Sequence, residues 1–233
     1  MIGFKTESNT SSSQQVQNKQ ESIFEKLSSG KRINSAADGA AAQQIIDRLT
    51  TQVEGNRQSI SNAFDGVSLT QVAEGGLAGI NQDVNRIREL SVQSGNGLLN
   101  DADRRVVQSE VSQLQENISQ TIEQTEFAGK YLLLTDGNVD FQIGANAGQK
   151  IGVATQDVST SLNNILNVNL STAQGAQDAL AIADDATEFV GNVRADLGAT
   201  QNQFESAARN LTQTDVNVTA ARSRIQDTDF VQA

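Results

Sequence analysis

The chain has no Cys, Pro, Trp or His and a single Tyr among its 233 residues. Without His or Cys there is no imidazole base, no thiolate nucleophile and no zinc ligand set of the usual kind, which removes most hydrolase templates. The absence of Cys also removes any disulfide framework. Without Pro, nothing in the sequence forces a long helix to stop, and with aromatics at only 4% a core built from large rings is not expected. A net charge of -11 leaves too few clustered cations to displace counterions from a nucleic-acid backbone, so no nucleic-acid partner is expected. No apolar run is long enough to span a bilayer, so membrane insertion is not expected either, and the first twenty residues lack the apolar stretch of a secretory signal.

What the chain does carry is helical periodicity. Apolar residues recur at Ile45, Leu49, Val53, Ile60, Phe64, Val67, Leu77, Ile80, Val84, Ile87 and Leu90, mostly in steps of three, four or seven, which predicts an amphipathic helix over about 38–94. Gly75 and Gly76 mark the expected bend. Asn100, Asp101 and Asp103 offer cap oxygens and first-turn carboxylates, so a second helix is expected over about 101–127, with Val107, Val111, Leu114, Ile118 and Ile122 on its seam and a glycine cap near Phe127, Ala128 and Gly129. A third helix, about 172–226, reads Ile182, Ala186, Phe189, Val193, Leu197, Thr200, Phe204, Ala207, Leu211, Asp215, Val218, Arg222 and Ile225 in alternating steps of three and four.

Between the second and third helices the period falls to two. Residues 130–134 and 139–143 flank Asp136 and Gly137, a pair suited to a tight hairpin turn, and a further short strand is expected over 149–153, giving a β-hairpin region of about 130–153. Gly144 to Gly148 lacks the Lys-Ser/Thr of a phosphate-cradling loop and reads as a hairpin exit turn. The carboxylate pairs Asp184/Asp185 and Asp101/Asp103 read as solvated helix faces and caps. No catalytic residue, metal site or cofactor follows from any of these, and no enzyme is expected.

Two segments near the ends are more specific: Leu27-Ser28-Ser29-Gly30-Lys31-Arg32-Ile33-Asn34-Ser35-Ala36, and Ala221-Arg222-Ser223-Arg224-Ile225-Gln226-Asp227-Thr228-Asp229-Phe230. With Asp38-Gly39-Ala40-Ala41, the run from Asn85 to Gln93 and Phe127-Ala128-Gly129-Lys130, they resemble, in order and register, the signatures of bacterial flagellin. The resemblance implies a mainly α fold: an elongated antiparallel helical bundle with a small β-hairpin region, of the flagellin outer-tube core type. It implies a structural subunit of the flagellar filament that self-assembles by helix packing, is exported by the flagellar type III apparatus without a cleaved signal peptide, and works in the extracellular flagellum. In flagellins the residues corresponding to Arg86, Leu90, Glu110 and Gln113 form a surface recognised by Toll-like receptor 5 that overlaps the contact between stacked subunits, so these four are the candidate receptor and subunit-contact surface.

Two departures accompany the resemblance. The family continues past the Asp-x-Asp segment into an apolar helix where this sequence ends at Ala233, and residues 6–20 are polar where the family carries an apolar stripe, Val16 excepted. The expected organisation is therefore a polar, mobile segment over 1–30 and a rod-like core over 31–233, with autonomous polymerisation weakened. The alternatives are a hook-filament junction protein, a non-polymerising secreted flagellin-like protein, or, from another class, an intracellular signalling coiled coil. A signalling hairpin would carry unbroken heptads on both sides of one tip, whereas this sequence inserts a period-two segment.

Overall fold

A computed structural model describes residues 3–227, with side chains from residue 13 onward; Thr228, Asp229 and Phe230 of the second terminal signature lie outside the described residues. In chain order the elements are α1 (Gly3–Ser29), α2 (Ala36–Ser94), α3 (Asp101–Gln124), β1 (Glu126–Phe127), β2 (Lys130–Tyr131), β3 (Gly137–Gln142), β4 (Lys150–Thr155), α4 (Val158–Ser161), α5 (Asn163–Leu166) and α6 (Ala173–Gln226). The chain is mainly α with two small two-stranded sheets. It divides into two compact units, one formed by Met1–Gln58 with Asn210–Ala233 and the other by Ser59–Arg209. α2 and α6 contribute residues to both.

In the larger unit, α2, α3 and α6 form an antiparallel bundle. Arg88 meets Asp184 at 2.6 Å and Glu74 meets Arg194 at 3.3 Å, while Gly66 faces Phe204, so α6 runs backwards along α2. Arg86 meets Glu110, and Gly76 faces Thr125, which sets α3 antiparallel to α2 on another side. The buried stripe of α2 runs Ser59, Ala63, Gly66, Thr70, Ala73, Leu77, Ile80, Val84, Ile87, Ser91 and Ser94 in unbroken steps of three and four. On α3 the stripe is Arg104, Val107, Val111, Ile118 and Ile122, in line with the sequence expectation.

The expected α2 seam is off by one residue at Ile45, which is 45% exposed while Ile46 is buried, and again over residues 60–67. Phe64 is 56% exposed, whereas its neighbour Ala63 is fully buried. Ile60, Phe64 and Val67 each sit one residue beyond the true stripe, because the facing element supplies the volume: the Phe204 ring fills the space over Gly66 and meets Phe141 edge-on at 5.4 Å. In α6 the same economy appears as an alanine stripe of Ala176, Ala179, Ala183 and Ala186.

The bend expected at Gly75 and Gly76 is absent. α2 has its break at Gly39 (φ 164°, ψ 93°), and Gly76 serves close packing instead, since a Cβ there would lie 2.5 Å from the Thr125 hydroxyl oxygen. α3 ends at Gln124 rather than 127, and Gly129 (φ 77°) with Ala128 (φ 50°) forms the two-residue turn of a β1–β2 hairpin instead of a helix cap. The larger hairpin also has a different register from the one expected. Residues 137–142 pair with 150–155, Val139 opposite Val153 and Phe141 opposite Ile151, so Gly144 to Gly148 is the hairpin's own loop. Asp136 accepts a hydrogen bond from the Asp157 N–H at 2.9 Å, and Gly137 opens β3. The outward-facing Lys130 and the buried Leu132 and Leu133 drop the chain into the core rather than along a partner strand.

The start of α3 is built as expected. The Asn100 side chain accepts from the Ala102 and Asp103 N–H groups, and Asp103 accepts from the Asn100 N–H at 3.1 Å, a reciprocal cap contributing about 1 kcal/mol. Arg104 is buried and donates to the Asn96 and Leu99 carbonyls at 3.1 and 3.3 Å, tying the turn from α2 to the first turn of α3.

Candidate subunit-contact surface and the meeting of the terminal signatures

Three of the four candidate surface residues share one patch of the α2–α3 pair. The Arg86 guanidinium donates to Glu110 Oε1 at 2.7 Å and to Glu89 Oε2 at 3.0 Å, bridging the two helices at the surface. The hydrogen bonds to Glu110 and then Glu89 raise its already high pKa, so it carries its charge at every relevant pH. Gln113 is exposed three residues beyond Glu110.

Leu90 does not join them. It is 2% exposed and belongs to the core, lying on the buried side of α2 between Ile87 and Ser91. Spacing alone put Leu90 one turn from Arg86, which holds, but a four-residue step is also the step of a buried seam. The apolar surface of this region comes from residues that sequence reasoning passed over: Val106 is 73% exposed, four residues before Glu110, and Leu98 in the turn is 93% exposed. A large apolar residue standing outside the three-four seam was the available signal.

In the smaller unit the two terminal signatures meet. Gly30 takes a left-handed conformation (φ 68°) that ends α1 and turns the chain. The backbone N–H groups of Arg32 and Ile33 then donate to the Gln226 carbonyl at 2.6 and 3.3 Å, and Arg32 Nη2 donates to the Ile225 carbonyl at 2.8 Å. Lys31 and Asp227 complete an antiparallel bridge. The last carbonyls of a helix have no partner within it, and residues 31–33 supply three donors for those of α6.

Asp38 organises the other side of this junction. Its Oδ2 accepts from the Asn34 and Ser35 N–H groups, each at 3.1 Å, and its Oδ1 meets Lys26 Nζ at 3.3 Å. The backbone donors of Asn34 and Ser35, then Lys26, hold the Asp38 carboxyl below its ordinary value. Asn34 Nδ2 donates to the Ser29 hydroxyl at 2.8 Å, closing the turn on α1. The Ser29, Arg32, Asn34 and Ser35 side chains of the first signature thus each have a hydrogen-bond partner, and Arg32 and Ile33 reach Ile225 and Gln226 of the second. The pairing of the two segments was not legible in either alone.

No group of acidic side chains among the described residues is arranged to hold a metal ion, and no described helix is long and apolar enough to cross a membrane.

Comparison with known proteins accounts for this arrangement. The family model for the bacterial flagellin N-terminal helical region matches residues 4–138, and that for the C-terminal helical region matches residues 180–233. The chain is 37% identical over 223 residues to the flagellar filament 30.7 kDa core protein of Treponema maltophilum, covering 89% of this chain and 78% of that one. It is 37% identical over 246 residues to flagellin of Bacillus subtilis (strain 168), covering 90% and 80%. Among solved structures, Bacillus cereus flagellin superposes with a TM-score of 0.61 at 25% identity, covering 70% of this chain and 94% of that one. A flagellar hook-associated protein from Vibrio parahaemolyticus superposes with a TM-score of 0.70 at 13% identity, covering 82% and 100%, a likeness of fold alone. With both of its terminal regions matched and most of its length aligned to filament proteins, the chain belongs to the bacterial flagellin family.

Proposed function

We infer that the chain is a structural subunit of the bacterial flagellar filament, an extracellular appendage, in which it packs against other copies of itself. The observation that carries this is the match of both flagellin helical regions together with 37% identity to filament proteins over most of the chain. The hook-filament junction alternative has a likeness of fold at 13% identity behind it, and the signalling coiled coil has nothing. Flagellins are structural proteins, and the chain's activity is self-association rather than turnover.

Three finer readings go with this one. The chain leaves the cell through the flagellar type III export apparatus without a cleaved signal peptide, a route for which the absence of Cys and Pro is no obstacle. The exposed patch of Arg86, Glu110 and Gln113 is a contact surface between stacked subunits, and Val106 and Leu98 add the apolar area that an ion pair alone lacks. The same patch is read by Toll-like receptor 5. Expression in a flagellin-null bacterium tests the central reading: filaments on the cell surface that contain this chain by immunogold labelling support it, and bald cells with the chain present in the medium would leave export standing and overturn assembly.

A further inference from the structure

We propose that Asn96 is a site of spontaneous backbone modification, at which the side-chain amide is lost through a cyclic imide formed with the nitrogen of Gly97. Asn96-Gly97 is the single Asn-Gly pair in the chain, and both residues are exposed in the turn between α2 and α3. The attacking group is open: no described hydrogen bond engages the Gly97 N–H, and a Cβ built on Gly97 would meet nothing within 4 Å. The electrophile is prepared, since Asn96 Oδ1 accepts the Leu98 N–H at 3.0 Å. A donor in that place stabilises the negative charge that grows on the oxygen as the carbon becomes tetrahedral. The turn itself is held in place by Arg104 and by the Leu99 N–H, both of which donate to the Asn96 carbonyl, at 3.1 and 3.2 Å.

The step balances without any cofactor. The Gly97 nitrogen, having given up its proton, bonds to the Asn96 side-chain carbonyl carbon; the bond from that carbon to Nδ2 breaks, and the nitrogen leaves as ammonia carrying the proton. Water then adds across one of the two imide bonds. Opening on one side gives an aspartyl residue in the normal backbone, and opening on the other gives an isoaspartyl residue whose main chain is longer by one carbon. Both products add a negative charge beside Leu98, which is 93% exposed. The second also displaces the carbonyl that the buried Arg104 holds. Other Asn residues differ in kind: Asn85 and Asn117, for example, are followed by residues with a Cβ whose N–H groups lie inside a helix.

The test is to age the full-length folded chain in buffer at neutral and mildly alkaline pH, then map its peptides by mass spectrometry with isoaspartyl methyltransferase labelling. Position 96 should convert ahead of every other Asn, faster at the higher pH, and at least as fast in the folded chain as in urea. Gly97→Ala is compatible with the local backbone, which is not in the left-handed region, and with the open space around it, so it should fold normally by circular dichroism yet convert several-fold more slowly. Asn96→Gln should not convert at that position. A folded chain that keeps its Asn96 amide while the urea-unfolded chain loses it would overturn the proposal, as would conversion of Gly97→Ala at the wild-type rate.

Discussion

Gly66 of α2 lies so close to Phe204 of α6 that a methyl group on it would sit 2.5 Å from ring atoms Cε1 and Cζ. The largest fully buried side chain among the described residues is thus seated on a residue with no side chain. Gly66→Ala should destabilise the larger unit by about 1–3 kcal/mol through overpacking, despite the helix propensity that Ala adds. Phe204→Ala should cost about 3–5 kcal/mol by leaving a cavity, and Phe204→Asp should abolish the cooperative melting of α2, α3 and α6 residues in that unit. Urea titration followed by circular dichroism measures all three; separate transitions for the helices would contradict a shared core.

Arg86 and Leu90, one helical turn apart, should behave in opposite ways. Leu90→Ala removes a side chain only 2% exposed and should cost about 2–5 kcal/mol of stability. Arg86→Ala breaks exposed ion pairs and should cost less than about 1 kcal/mol. If the patch is a binding surface, Arg86→Ala with Gln113→Ala should weaken receptor activation in a Toll-like receptor 5 reporter assay at unchanged melting temperature. Undiminished activation at matched concentration would remove the receptor reading.

Arg32→Ala removes the guanidinium donor to the Ile225 carbonyl but leaves the backbone donors to Gln226 in place. The loss should be about 1 kcal/mol, felt locally. Hydrogen exchange should show faster exchange in the last turn of α6 with no change near Phe204.

Asp157 caps α4: its carboxylate accepts from the Ser159 hydroxyl at 2.6 Å, the Thr160 hydroxyl at 2.7 Å and the Thr160 N–H at 3.2 Å. The Ser159 hydroxyl first, then Thr160, hold its pKa down to about 2 from an ordinary 3.8. A group with a depressed folded-state pKa binds its proton more readily when unfolded, so its stabilisation is complete above 3.8 and fades as the pH falls toward 2. Carboxyl-carbon NMR should place the titration in that low range, and Asp157→Asn should flatten this part of the acid-unfolding profile. A midpoint near 3.8 would show that the cap is not formed.

The polar α1 should be the least protected helix. Every side chain over residues 13–20 is exposed, and even the apolar Val16, Ile23 and Phe24 are more than half exposed, so little buried area offsets the entropy of ordering. Amide exchange over residues 13–20 should be much faster than over the stretch containing Ile80, Val84 and Ile87. Comparable protection would count against a mobile segment.

Much of this was legible because helical periodicity is a local property. The α3 seam and its Asn100 cap could be read from a window of two dozen residues, and so could the extent of α6. What failed depended on residues far away. Phe64 looked like a seam residue and Ala63 did not until Phe204 was known to fill the gap, and Asp136-Gly137 looked like a hairpin turn until Leu132 and Leu133 were found in the core. Leu90 was placed on the right turn of the right helix, but which side of that turn is buried is a fact of packing. The terminal signatures were recognisable as words, whereas their bond to each other is a fact about the sentence.

The contact between Arg32 and Ile225 joins residues 193 positions apart. Closing so large a loop is entropically costly before other contacts have drawn its ends together, whereas α2 and α3 meet across a turn of a few residues. A chain that emerges with its N-terminus first can therefore form the α2–α3 hairpin early, but residues 31–33 must wait until residues 225–227 are present before α6 offers its last carbonyls. The junction between residues 31–33 and the end of α6 should therefore close after the α2–α3 hairpin has formed, the long loop being drawn shut by the contacts already made within the larger unit.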